Sequence, residues 1–175
     1  MTDAQFKEMA KASVVHAVKA CNDFLSPLGL TLSVNFEYDF QGFDPDAIGV
    51  YEDGSVFEGE ISVGYNAEAL LVAFKDEMET YPWSSEDKIL DELASTTIYH
   101  EMGHGLCELI SDYLENSDDL DAVYDANKEL FDRVLDNEEN AVEEFAWDMY
   151  DNDLRENDIT KMVGLCLTAF SDVRP

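Results

Sequence analysis

His100-Glu101-Met102-Gly103-His104, entered through Ile98 and left through Leu106, has the form HExxH. On an α-helix, residues four apart lie on one face, one turn above the other, so the two imidazoles reach a single ion. Neutral imidazole is a good Zn²⁺ ligand, and Glu101 can address a water bound to that ion. The chain has three histidines, and two of them fall four apart around this one glutamate. A chance match to HExxH arises in roughly one chain of this length in a few hundred, which weighs against two ordinary helical histidines. Gly103 and Gly105 weaken a helix, yet beside a metal their small size lets another element approach closely.

The motif sits in a longer apolar pattern. Ile89, Leu90, Leu93, Thr97 and Ile98 precede it and Leu106, Leu109 and Ile110 follow, so the spacing predicts one helix from a cap at Ser84 or Ser85 to about Leu114. Before it, Asn66 caps a helix to about Tyr81 whose apolar face is Leu70, Leu71, Phe74 and Met78. Upstream lie strand patterns. Residues 31–40 alternate through Leu32, Val34, Phe36, Tyr38 and Phe40, a second strand falls near Ile48–Tyr51, and a third begins near Val56 after the Asp53-Gly54 turn. A loop with Gly42, Pro45 and Asp46 joins the first two, and the ligand positions of a Ca²⁺-binding EF-hand loop are not filled in 44–55. Glu60–Tyr65 alternates again and reads as a strand at the edge of the sheet.

At the N-terminus, Phe6, Met9, Ala10, Val14, Ala17, Val18, Cys21, Phe24 and Leu25 form one stripe at helical period, with His16 off it and facing solvent. Downstream, residues 115–140 are the most acidic stretch, with Glu138 and Glu139 among its carboxylates. Leu120, Val123, Tyr124, Leu130, Phe131, Val134 and Leu135 keep helical spacing, so the stretch reads as a solvated helix. Asn137 or Asn140 starts a helix through Tyr150, and residues 159–170 form a last apolar helix.

The whole chain carries 10 Lys and Arg against 40 Asp and Glu, a net charge of −30. That balance argues against surfaces that bind nucleic acid or anionic membranes, both of which need basic patches. No basic-then-apolar leader and no apolar run of membrane length occur, and Cys21, Cys107 and Cys166 are odd in number and scattered. A cytoplasmic protein with reduced thiols is expected, Cys107 being a buried apolar thiol more readily than a metal ligand. With 46% apolar residues in 175, one domain over residues 1–175 is expected, with no repeat and no linker.

Two histidines do not complete a catalytic zinc site, which takes three protein ligands and one open position. His16 is too far upstream and no histidine follows His104, so a downstream carboxylate is the expected third ligand. The stretch 140–150 offers Glu143 and Glu144, of which only one can point inward, since helix neighbours stand about 100° apart.

HEMGH followed by a helix carrying Glu-x-Phe-Ala resembles the gluzincin zinc metallopeptidases, and the order of elements resembles their minimal members. The resemblance implies Glu143 as third ligand, with Phe145 and Ala146 in the family's apolar and small positions. Glu144 with Asp148 resembles the Glu-x-x-x-Asp variant instead, in which the Asp orients a ligand histidine. It further implies a zincin-like α+β fold, a small mixed or antiparallel sheet with an edge strand packed on the HExxH helix. Zn²⁺ would be held by His100, His104 and Glu143, with Glu101 as general base and a peptide substrate added along Glu60–Tyr65. For the family's transition-state group, Tyr113, Tyr124 and Tyr150 are available, and each reads by default as a core residue. The gap from His104 to Glu143 is longer than in the smallest members, and the acidic helix fills it. Two other readings stand beside this one: a structural zinc without chemistry, and a non-catalytic acidic regulator or decoy, a nucleic-acid mimic or binder of basic partners, on a metal-stabilised fold.

Overall fold

A helix of 31 residues, Glu86–Asn116 (α3), carries the HExxH motif and forms the axis of the molecule. The structure is a computed structural model describing residues 2–40, 44–116 and 118–171. Among these the chain is α+β. The other helices are Asp3–Leu25 (α1), Ala67–Thr80 (α2), Asp118–Ala126 (α4), Lys128–Leu135 (α5), Glu138–Tyr150 (α6) and Asp158–Ser171 (α7). Strands Thr31–Asn35 (β1), Gly49–Tyr51 (β2) and Glu60–Tyr65 (β3) form a mixed sheet. No described helix is long and apolar enough to cross a membrane.

The N-terminal stripe does what its period predicts. Phe6, Ala10, Val14, Ala17, Cys21 and Leu25 are buried against the core, and His16 faces solvent. Thr2 closes a capping box with Gln5 at the start of α1. Asn66 caps α2 by accepting from the backbone N–H groups of Glu68 and Ala69. Cys21, Cys107 and Cys166 are unpaired and buried.

The sheet differs from expectation in three ways. β1 stops at Asn35 because the Asn35 side chain accepts from the Glu37 N–H at 3.0 Å, turning the chain and leaving Phe36 exposed. Val56 belongs to a 3-10 turn, Ser55–Glu58, bracketed by Gly54 and Gly59 in the left-handed region, so the third strand begins only at Glu60. Most consequential, β3 is not an edge strand. The order is β1-β3-β2, with β3 parallel to β1 along Glu60–Gly64 and antiparallel to β2 along Val63–Tyr65, so β3 is the central strand and β2 is the edge beside α3. Alternation along one strand reports burial of one face and carries no information about neighbours. Gly42 of the expected loop lies outside the described residues.

The acidic stretch also divides. Asn127, its side-chain amide turned onto the Val123 carbonyl at 2.9 Å, separates α4 from α5 where one helix was expected. Leu120, Phe131 and Val134 are buried beneath both.

Gly103 and Gly105 decide how α3 is packed. Two residues span about 200° of helix, so these glycines open opposite sides of α3. A Cβ at Gly103 would stand 2.9 Å from Val142 Cγ1 on α6, and one at Gly105 would stand 3.1 Å from Ile61 on β3. The helix bearing the histidines is thus clamped between α6 and the sheet.

Candidate metal centre

His100 and His104 project from one face of α3 with Nε2 facing Nε2 at 3.1 Å. α6 lies over them, lowered by the Gly103 contact, and its first turns supply three carboxylates. Glu139 and Glu143 are four apart and share a face; Glu138 is the neighbour of Glu139.

The carboxylates divide the four ring nitrogens. Glu138 Oε1 is 2.5 Å from His104 Nδ1, and Glu143 Oε2 is 3.5 Å from His100 Nδ1. Glu139 stands on the other side, 3.7 Å from each Nε2. His100, His104 and Glu139 each offer one ligand atom, and those atoms lie within 4.8 Å of one another. Glu143, the expected ligand, therefore faces the outer nitrogen of His100 while also accepting from the Trp147 indole N–H at 2.9 Å. Glu144 lines a different cleft with Asp148, whose carboxylate accepts from the Asn157 amide and meets no histidine.

This donor set suits a cation. Glu138 is hydrogen-bonded to the His104 Nδ1 and Glu143 stands 3.5 Å from the His100 Nδ1, an arrangement that favours ring protons on the Nδ1 atoms and would turn two Nε2 lone pairs toward each other. Convergent lone pairs repel unless a positive charge lies between them. A tetrahedral Zn²⁺ with bonds of about 2.0–2.1 Å holds its ligand atoms about 3.3 Å apart; the two Nε2 atoms stand at 3.1 Å, while Glu139 turns a different oxygen to each histidine at 3.7 Å, so a single Glu139 oxygen would have to move inward to complete the set. A shared proton is the other cation that fits. Burial alone would lower the His104 pKa, but the Glu138 hydrogen bond and the charges of Glu101, Glu138 and Glu139 outweigh it and raise it above 6.5.

Glu101 points off this axis toward β2. Its Oε2 accepts the Tyr51 backbone N–H at 2.7 Å. Burial lifts its carboxyl above the ordinary 4.5, although His100, His104 and the Tyr51 N–H pull the other way. Two turns further along α3, Glu108 accepts from the Tyr51 hydroxyl and from the Gly54 N–H, the latter at 2.9 Å. Two carboxylates of one helix thus fasten the edge strand to it. Gly49 makes the approach possible: a Cβ there would meet Thr97 Cγ2 at 2.6 Å and Glu101 Cγ at 3.0 Å.

Between β2 and α3 runs an open cleft of about 330 Å³, lined by Ile48 and Gly49 on one side and Thr96, Thr97, His100 and Glu101 on the other, with Glu143 and Asp46 at its rim. The Asn66 N–H to Ile48 C=O and Glu52 N–H to Ser62 C=O bonds turn residues 48 and 52 toward β3. By strand alternation the N–H and C=O of Gly49 then face away from the sheet. Tyr113, Tyr124 and Tyr150 do not line this cleft; Tyr124 donates instead to Asp132 at 2.6 Å.

Sequence reasoning missed Glu138 and Glu139, which it placed in the solvated acidic stretch. A signal was present: Glu139 and Glu143 stand four apart, and Val142 and Ala146 repeat that spacing on the buried side of the same helix. No protein-family model matches the chain, and no curated protein or solved structure matches it either.

Proposed function

We propose that the chain is a zinc-dependent peptidase of zincin type, with His100 Nε2, His104 Nε2 and Glu139 as metal ligands and Glu101 as general base. One observation carries the reading: both Nε2 atoms converge with Glu139, while carboxylates of Glu138 and Glu143 stand at both Nδ1 atoms. Carboxylates behind ligand histidines fix ring orientation and raise ligand basicity.

Zinc bound there supplies a Lewis acid that lowers the pKa of a coordinated water to about 7 and polarises a carbonyl. Glu101 holds the proton released on attack and returns it to the leaving amine. Its Oε2 is occupied by the Tyr51 N–H, so Oε1 is the atom that moves the proton. Its partial burial raises the carboxyl toward the pKa a neutral-pH base requires. An extended peptide pairs with the outward N–H and C=O of Gly49, which makes β2 and not β3 the strand that substrate extends.

The test uses zinc-loaded wild type and Glu101→Gln with a quenched-fluorescent peptide mixture. Cleavage by wild type, and a loss of about 10²-fold or more in Glu101→Gln with one zinc per chain retained, is expected. A variant that still turns over at the wild-type rate, or a zinc-loaded wild type that cuts nothing, overturns the reading.

A further inference from the structure

Beyond His100 and Glu101 the cleft extends to Asp46, on the turn that leads into β2. We propose that this cleft selects a peptide with a lysine or arginine side chain beside the bond to be cut, its aliphatic stem over Thr96, Thr97 and Ile48 and its charged head at Asp46. The inference rests on the peptidase reading and supplies its substrate class.

Ile48, Gly49, Thr96 and Thr97 form the part of the cleft between His100 and Asp46. The Thr96 and Thr97 hydroxyls are turned back onto their own helix, onto the Glu92 and Leu93 carbonyls at 2.7 and 2.8 Å, so neither hydroxyl proton is left for a ligand, and the Thr97 methyl packs against Gly49. Asp46 is held in place at the rim. Its N–H donates to Asp44 Oδ1 at 3.0 Å, the Ala47 N–H donates to the Asp44 carbonyl at 3.2 Å, and the Asn66 amide holds the Pro45 carbonyl at 3.1 Å. No lysine, arginine or histidine among the described residues pairs with the Asp46 carboxylate. The other carboxylates of the cleft are engaged, Glu143 by Trp147 and His100 and Glu101 by the Tyr51 N–H.

A floor of Ile48 and two threonines with engaged hydroxyls, ending at an anion that no cation among the described residues pairs, matches the amphipathic form of lysine and arginine, whose methylene stems lie along apolar surface while the head stays wet. A leucine gains the floor alone. A glutamate meets Asp46 and the remaining carboxylates as like charges. The net charge of −30 adds a long-range field that concentrates cationic peptides at the surface before any contact forms.

The experiment is fluorescence anisotropy of three dansylated pentapeptides, with lysine, leucine or glutamate between alanines, on zinc-loaded Glu101→Gln so that no peptide is consumed. The lysine peptide is expected to bind about five-fold tighter than the leucine peptide, the yield of one exposed ion pair. High salt and Asp46→Asn should each erase that margin, and Asp46→Lys should reverse it in favour of glutamate. A lysine peptide that binds no better than leucine, or a margin that survives Asp46→Asn, overturns the inference. Turnover by the unmutated chain separates the two readings. A zinc-loaded protein that prefers the lysine peptide yet never cuts it overturns the peptidase and leaves the cation site standing. Cleavage of all three peptides at equal rates does the reverse.

Discussion

Gly49 lies against Glu101 so closely that a Cβ on the glycine would stand 3.0 Å from the glutamate Cγ and 2.6 Å from Thr97 Cγ2. The edge strand can therefore hand its Tyr51 N–H to Glu101 only while residue 49 has no side chain. Gly49→Ala should push β2 outward, release Glu101 from Tyr51 and lower turnover by an order of magnitude or more, with a stability loss of about 1–3 kcal/mol from the overpacked contact. Zinc content should not change, because the atoms nearest that Cβ belong to Thr97 and Glu101 and not to His100, His104 or Glu139. A variant with wild-type kcat would show that Glu101 needs no help from β2.

The three carboxylates of α6 should separate cleanly on metal analysis. Glu139→Ala removes the proposed third ligand and should leave the purified protein without stoichiometric zinc. Glu143→Ala and Glu138→Gln each remove a carboxylate behind a histidine and should weaken zinc by about 10–100-fold without abolishing it. Glu144→Ala should match wild type, since Glu144 lines another cleft. Zinc lost from Glu143→Ala and kept by Glu139→Ala would reverse the assignment.

Much of this architecture is legible in the residues, because periodicity reports burial directly. The stripe from Phe6 to Leu25, the Asn66 cap and the extent of α3 all follow from side chains that must face the core or close a helix end. Strand order is not legible in that way: Ile61, Val63 and Tyr65 are buried on β3 whichever strands flank it, so its alternation suits an edge as well as a centre. The choice between Glu139 and Glu143 was hidden for a different reason. Both lie on the α6 face toward the histidines, and which one meets Nε2 depends on how far Gly103 lets α6 slide down against Val142. That is a distance set by packing between elements far apart in sequence.

Protons and zinc should compete for the histidine pair. In the metal-free chain the His104 pKa lies above 6.5, so this group adds stability fully below 6.5 and loses it as pH rises through the folded-state value. Zinc must displace that proton, so its apparent affinity should fall as pH drops through the same window. Glu138→Gln removes the closest contributor and should flatten both dependences. Urea unfolding of chelator-treated protein at pH 5.5 and 8 checks this: wild type and variant should differ more at the lower pH. An equal difference at both would show that Glu138 supports the fold without acting through His104.

Gly103 and Gly105 should fail differently although they are two residues apart. At Gly103, Ala already brings Cβ to 2.9 Å from Val142 Cγ1, and Leu should force α6 away from α3 and carry Glu138, Glu139 and Glu143 with it. Gly103→Leu should therefore lose zinc along with stability. At Gly105 the neighbour is Ile61 of β3, on the side of α3 away from α6. Gly105→Ala should cost about 1–3 kcal/mol through the sheet, less whatever better helix propensity returns, and leave zinc affinity near wild type. Calorimetry paired with a zinc titration distinguishes them. Equal loss of zinc in both variants would mean that the centre responds to α3 as a whole and not to the height of α6 above it.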